Sequence, residues 1–177
     1  MRTGRRPGRA ARRARAAPPA RASHSAPTYL GHPGSVWIRV LRDPDPLVRR
    51  LSVYALGEIG PGGPAAAAGA LGRALDDAAS YVRAWAAAAL ARVDPEDPRP
   101  VPALVAAMRD PAPFVRSLGA WQLGRIAAGR AGAETALPVL EALAADPDPS
   151  VRTEAGLALR TLRRAAARTP ERSPGPW

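Results

Sequence analysis

Aromatic rings set beside arginines are the side chains of this sequence with most to offer chemically. Arg125 follows Trp121 by four residues and Arg92 follows Trp85 by seven, which is one and two turns of an α-helix. Tyr54 holds a matching place earlier in the chain. Rings and guanidinium groups on one face can stack on nucleic-acid bases or grip a peptide. Tyr54, Trp85, Arg92, Trp121 and Arg125 are therefore the candidate partner-contact residues. The competing reading is structural, with the two tryptophans filling space between alanine-rich helices. Gln122 is an amide where sister segments carry Ala55, Ala89 and Ala158. A buried amide needs hydrogen-bond partners, from a neighbouring carbonyl or from a ligand.

A second set pairs acid with base. Asp43, Asp77, Asp110 and Asp146 each precede an arginine by six residues: Arg49, Arg83, Arg116 and Arg152. Taken singly, these could pass for calcium-binding aspartates or a phosphate-binding stripe. Their regular recurrence makes them parts of a repeated structural unit.

Catalytic templates find little to work with. The two histidines, His24 and His32, both lie in the first 34 residues, which leaves no Ser-His-Asp set in the repeats. There is no cysteine, hence no disulfide and no thiolate metal site. The run "GPGGP" at Gly60–Pro64 lacks the lysine of a phosphate-binding loop and reads as a linker. Asp94, Glu96 and Asp97 read as a solvated acidic turn. The expectation is a non-catalytic protein with no metal site and no cofactor.

The elements that must position these residues recur with the Val-Arg dipeptides Val48-Arg49, Val82-Arg83, Val115-Arg116 and Val151-Arg152, at steps of 34, 33 and 36 residues. Four residues after each valine stands Ser52, Ala86, Gly119 or Ala155. Eight after stands Leu56, Leu90, Leu123 or Leu159, and eleven after stands Ile59, Val93, Ile126 or Leu162. These positions trace one face of an α-helix. Six residues before each aspartate come Trp37, Leu71, Leu104 and Leu140; two before come Leu41, Leu75, Met108 and Ala144. They mark an earlier helix in each unit. Pro46, Pro113 and Pro149 are placed to open the second helix with φ preset, and Asp45, Asp148 and Ser80 to cap it.

Each unit is thus a helical hairpin that must stack on its neighbours to bury its apolar face. The phrases "LRDPDPLVRRLSVYALGEIG" and "LAADPDPSVRTEAGLALRTL" resemble HEAT repeats of the short type named after phycobilisome lyases. The resemblance implies an all-α superhelix, an α-solenoid of about four HEAT-like hairpins at about 35–60, 64–94, 98–128 and 133–164. It also implies that Asp43, Asp77, Asp110 and Asp146 form a structural inter-repeat ladder with Arg49, Arg83, Arg116 and Arg152. The family's di-iron hydroxylase branch needs histidines in the repeats, which this chain lacks. Its bilin lyase or isomerase branch leaves no local mark to test.

Charge divides the chain. Residues 1–34 hold eight arginines and no acid, whereas residues 35–164 hold sixteen arginines against fourteen acids. The arm over 1–34 is expected to be disordered, as is a tail over 165–177. Such an arm could make weak nucleic-acid or polyanion contact. No apolar run approaches membrane-spanning length, and a cytoplasmic location is expected. The function expected first is a protein-interaction scaffold presenting a concave groove to another protein. Nucleic-acid binding through the arm and the groove aromatics comes second, and a bilin lyase or isomerase third.

Overall fold

The structure, a computed structural model, describes residues 27–63, 65–126, 130 and 132–168. Its helices are α1 (Gly34–Val40), α2 (Pro46–Ile59), α3 (Ala66–Ala74), α4 (Ser80–Val93), α5 (Pro100–Ala107), α6 (Pro113–Ile126), α7 (Leu137–Leu143) and α8 (Pro149–Arg168). They pair in sequence as four hairpins. The second helices α2, α4, α6 and α8 stack on one another in chain order. The fold is an α-solenoid.

The turn inside each hairpin is built the same way four times. The repeat aspartate accepts the backbone N–H two residues on, as in Asp43 with Asp45 (2.8 Å) and Asp110 with Ala112 (2.9 Å). Asp77 and Asp146 do the same with Ala79 and Asp148, both at 2.9 Å. The arginine after the valine then reaches back, its Nη1 donating to two turn carbonyls. Arg49 holds those of Asp43 and Pro44, both at 2.9 Å, and Arg83, Arg116 and Arg152 repeat the clamp. Carbonyls of the turn thereby gain charged donors. Pro46, Pro113 and Pro149 are the first residues of their helices, where a missing N–H costs nothing. Asp45 caps α2 through the Leu47 N–H at 2.8 Å, and Asp148 accepts from Ser150 at 2.8 Å. Ser80 does not cap α4. It is the first helical residue, and the N-cap is Ala79, which offers no side-chain acceptor.

Burial follows the repeat columns. Leu56, Leu90 and Leu123 are wholly buried, as are Leu71, Leu104 and Leu140 from the first helices. Ser52 is buried too, its hydroxyl donating to the Trp37 carbonyl and so tying α2 to α1. Ala144, set by its spacing in the first-helix column, is exposed, and Leu143 takes the buried place.

Two boundaries differ from the sequence expectation. Residues 28–33 do not belong to an unstructured arm. Thr28–Tyr29 pairs antiparallel with His32–Pro33, and Leu30 and Gly31 both have positive φ (49° and 76°). That is a two-residue turn whose twist suits a hairpin. The pair is held by its rings, since Tyr29 and His32 both lie edge-on to Trp37 at 5.9 and 6.0 Å. At the other end α8 runs to Arg168, past the expected limit of the last repeat. The disorder expected for residues 1–26 and 169–177 falls outside the described residues.

Candidate binding face

The second helices carry core residues on one side and a solvent-facing row on another. Relative to each valine, positions −1, +3, +6 and +10 lie within a narrow arc of the helix. Tyr54, Trp85 and Trp121 come together there. Tyr54 meets Trp85 edge-to-face at 5.9 Å, and Trp85 meets Trp121 at 5.8 Å. Tyr29 extends the chain of rings, 5.8 Å from Tyr54. Edge contacts of this kind contribute about 0.5–1.5 kcal/mol each beyond area burial. All three groove rings are half-buried, and Trp85 packs against both apolar clusters of the core. It is both a filler of the core and a wall of the face.

The two arginines are placed differently. Arg125 lies over the Trp121 ring, its guanidinium carbon 4.8 Å from the centroid, a cation–π arrangement. Arg92 is engaged with Glu58 of the preceding repeat at 2.7 Å, both exposed, a pair worth little in water.

Sequence reasoning missed the apolar part of this face. Leu47 (58% exposed), Leu51 (41%), Phe114 (64%) and Leu157 (46%) project from the same arc as the rings. Phe114 sits one residue before its valine, as do Leu47 and Tyr81. That column alternates with no buried column, so its apolar character was the available signal.

The ladder residues do not all meet. Arg49 binds Asp77 of the next repeat through Nε and Nη2, at 2.7 and 2.8 Å. Arg116 binds Asp146 likewise, at 2.8 and 2.9 Å. Arg83 clamps its own turn, and no ion pair joins it to Asp110. Asp43 and Arg152 belong to the first and last of the four described repeats, and no inter-repeat bridge to either is seen among the described residues. Hydrogen bonds from Arg49 and Arg116 hold the Asp77 and Asp146 carboxyls below the usual aspartate range, against an opposing effect of burial.

The junction without a rung also differs in its small residues. Gly57 of α2 faces Ala89 of α4 so closely that a Cβ on the glycine would stand 3.1 Å from the Ala89 Cβ. Gly124 of α6 faces Ala158 of α8 in the same way, at 3.4 Å. The matching pair between α4 and α6 is Ala91 and Gln122, which are bulkier. Those helices pack less extensively. A cavity of about 270 Å³ spans α2, α4 and α6, lined among others by Tyr54, Glu58, Trp85, Arg92, Gln122 and Arg125. Gln122 is 2% exposed and its Nε2 has no hydrogen-bond partner.

The acidic turn after α4 is not simply solvated. Asp97 is buried and paired with Arg99 at 2.6 Å, which lowers its pKa, and Arg130 donates to its backbone carbonyl at 2.7 Å. Arg130 also caps the end of α4 through the Ala91 carbonyl, at 2.9 Å. Among the described residues no three His, Cys, Asp or Glu side chains gather where they could hold a metal ion. None of the described helices is long and apolar enough to cross a membrane.

The comparisons with known proteins agree with this architecture. No curated protein sequence matches the chain. Human deoxyhypusine hydroxylase, solved in complex with glycerol, is similar at 29% identity and a TM-score of 0.53, over 78% of this chain and 46% of the hydroxylase. The complex of CpcE and CpcF of phycocyanin lyase from Nostoc sp. PCC7120 is similar at 26% identity and a TM-score of 0.53, over 74% of this chain and 78% of that one. An engineered protein is similar at 25% identity and a TM-score of 0.52, over 75% of this chain. The chain spans 63% of that engineered protein's length and less than half of the hydroxylase. A family model described as HEAT repeats matches residues 32–91 and 70–160, nearly the whole folded part. This chain belongs to the HEAT-repeat family.

Proposed function

We propose that the chain is a protein-interaction module whose second-helix face docks an apolar segment of a partner protein. One observation carries the reading. Leu47, Leu51, Phe114 and Leu157 are exposed on the face that also presents Tyr54, Trp85 and Trp121. Apolar residues gathered on one face, unlike isolated ones, mark interaction surfaces. Arg92 and Arg125 border that face at one end of the helices and give the partner an orientation. The CpcE–CpcF structure supports the reading by kind, being itself a complex.

The test is selection of ligands from a random peptide display library, followed by calorimetry with the purified synthetic peptide. Phe114→Asp and Leu51→Asp are expected to weaken binding tenfold or more at unchanged melting temperature. Failure to enrich any ligand, or equal binding by both variants, overturns the proposal.

Nucleic acid is the rival occupant, favoured by the arginine stacked on Trp121. It requires DNA binding that falls steeply with salt and that weakens when residues 1–26 are removed. Cutting at 26 rather than 34 spares the strand pair that packs on Trp37. A bilin lyase or isomerase activity ranks third, resting on the likeness to phycocyanin lyase alone.

A further inference from the structure

The wide junction between α4 and α6 holds the least expected side chain of the fold. Gln122 is the only amide side chain in the sequence, which has no other glutamine and no asparagine. It replaces alanine in a column of small residues, and it is buried with Nε2 unpartnered. Leaving a buried amide donor unsatisfied is costly, so its presence points to a partner that the chain itself does not supply. Gln122 lines the cavity of about 270 Å³. Three residues on, one helical turn away, Arg125 lines the same cavity and has no acid paired to it. Arg92, on the opposite wall, is already neutralised by Glu58. The walls between them are the rings of Tyr54 and Trp85.

We infer that this cavity is a carboxylate-binding subsite, with Arg125 and Gln122 donating to the carboxylate and Tyr54 and Trp85 covering the apolar group that bears it. Among the arginines lining the cavity only Arg125 lacks an acid, which suits a monoanion. A planar carboxylate matches the guanidinium fork and keeps a free lone pair to accept from the amide. The volume is below the usual range of about 300–1,000 Å³ for whole small-molecule ligands, so it suits a group the size of one side chain. The carboxylate can come from an acidic residue of the docked partner or from a free small acid. The subsite deepens the docking reading, yet it lies at the opposite end of the helices from Phe114.

Because Gln122 is the only amide side chain, its NH₂ group gives one isolated pair of peaks in the ¹⁵N–¹H spectrum of uniformly labelled protein. The full chain is titrated with phenylacetate and with phenylacetamide. A parallel arm uses the capped peptide acetyl-Leu-Glu-Leu-amide and its glutamine counterpart. The expected result is a saturable shift of the Gln122 pair with an acid and none with its amide twin. Response to phenylacetate alone assigns a free acid as ligand, and response to the peptide alone assigns a partner's side chain. Arg125→Met should weaken the response at least tenfold. Phe114→Asp should leave it intact while removing docking, which separates this inference from the proposed function. No shift in either arm, equal shifts with acid and amide, or loss of the response in Phe114→Asp would overturn it.

Discussion

Arg116 holds Asp146 of the following repeat through two parallel N–H···O bonds of 2.8 and 2.9 Å, across 30 residues of chain. The same guanidinium clamps its own turn through two carbonyls. Arg83 makes only the clamp. Arg116→Ala is therefore expected to lower the urea midpoint more than Arg83→Ala, and Asp146→Asn more than Asp110→Asn. Equal effects within each pair would mean that the bridge adds nothing to the clamp.

The same bridges set an acid limit. The Asp77, Asp97 and Asp146 carboxyls have folded pKa values below the ordinary aspartate value, chiefly through hydrogen bonds from Arg49, Arg99 and Arg116. A carboxyl with a depressed folded pKa contributes fully above its unfolded value of about 3.9 and loses that contribution as pH falls toward the folded value. Stability should not depend on these three groups between about pH 7 and 5, and should fall below about pH 4. In a series of thermal melts, the double variant Asp77→Asn, Asp146→Asn should start lower at neutral pH and show a shallower acid decline than the parent.

Two glycines in the second helices should respond in opposite directions to alanine. A Cβ on Gly119 would come within 3.0 Å of the Met108 side chain and backbone nitrogen, whereas Gly156 meets only the Arg160 guanidinium at 3.9 Å. Gly119→Ala should destabilise by about 1–3 kcal/mol through overpacking. Gly156→Ala should stabilise by roughly 0.5–1 kcal/mol through helix propensity. Denaturant unfolding of the two variants decides the matter, and a shift of the same sign in both would refute the packing argument.

Gln122→Met keeps the length of the side chain and removes the unsatisfied donor. It should raise stability by about 1–2 kcal/mol while abolishing the response to carboxylate, read by the Trp85 and Trp121 indole N–H peaks. A destabilised variant would show that the amide has a structural partner after all.

The repeat was legible because each column has one physical duty. A leucine eight residues after each valine must be buried in every copy, so chemistry at Leu56, Leu90 and Leu123 reads directly as core. The Asp–Arg bridge was only partly legible. Arg83 and Asp110 carry the same spacing as the pairs that bridge, so nothing at those two positions showed that they would not. The junction between α4 and α6 differs at Ala91 and Gln122 instead. The strand pair at 28–33 was hidden because each strand has two residues and it is held by ring contacts with Trp37 in the next helix and Tyr54 in the one after. Exposure of Phe114 was hidden for a different reason, since a sequence does not show which face lacks a neighbour.

The unequal junctions also make the four repeats mechanically unlike a uniform rod. The first and last junctions are drawn tight by glycine against alanine and locked by a bidentate bridge, while the middle one has neither. Bending strain applied to the ends concentrates at the joint between α4 and α6, and the two outer pairs move as stiff leaves about it.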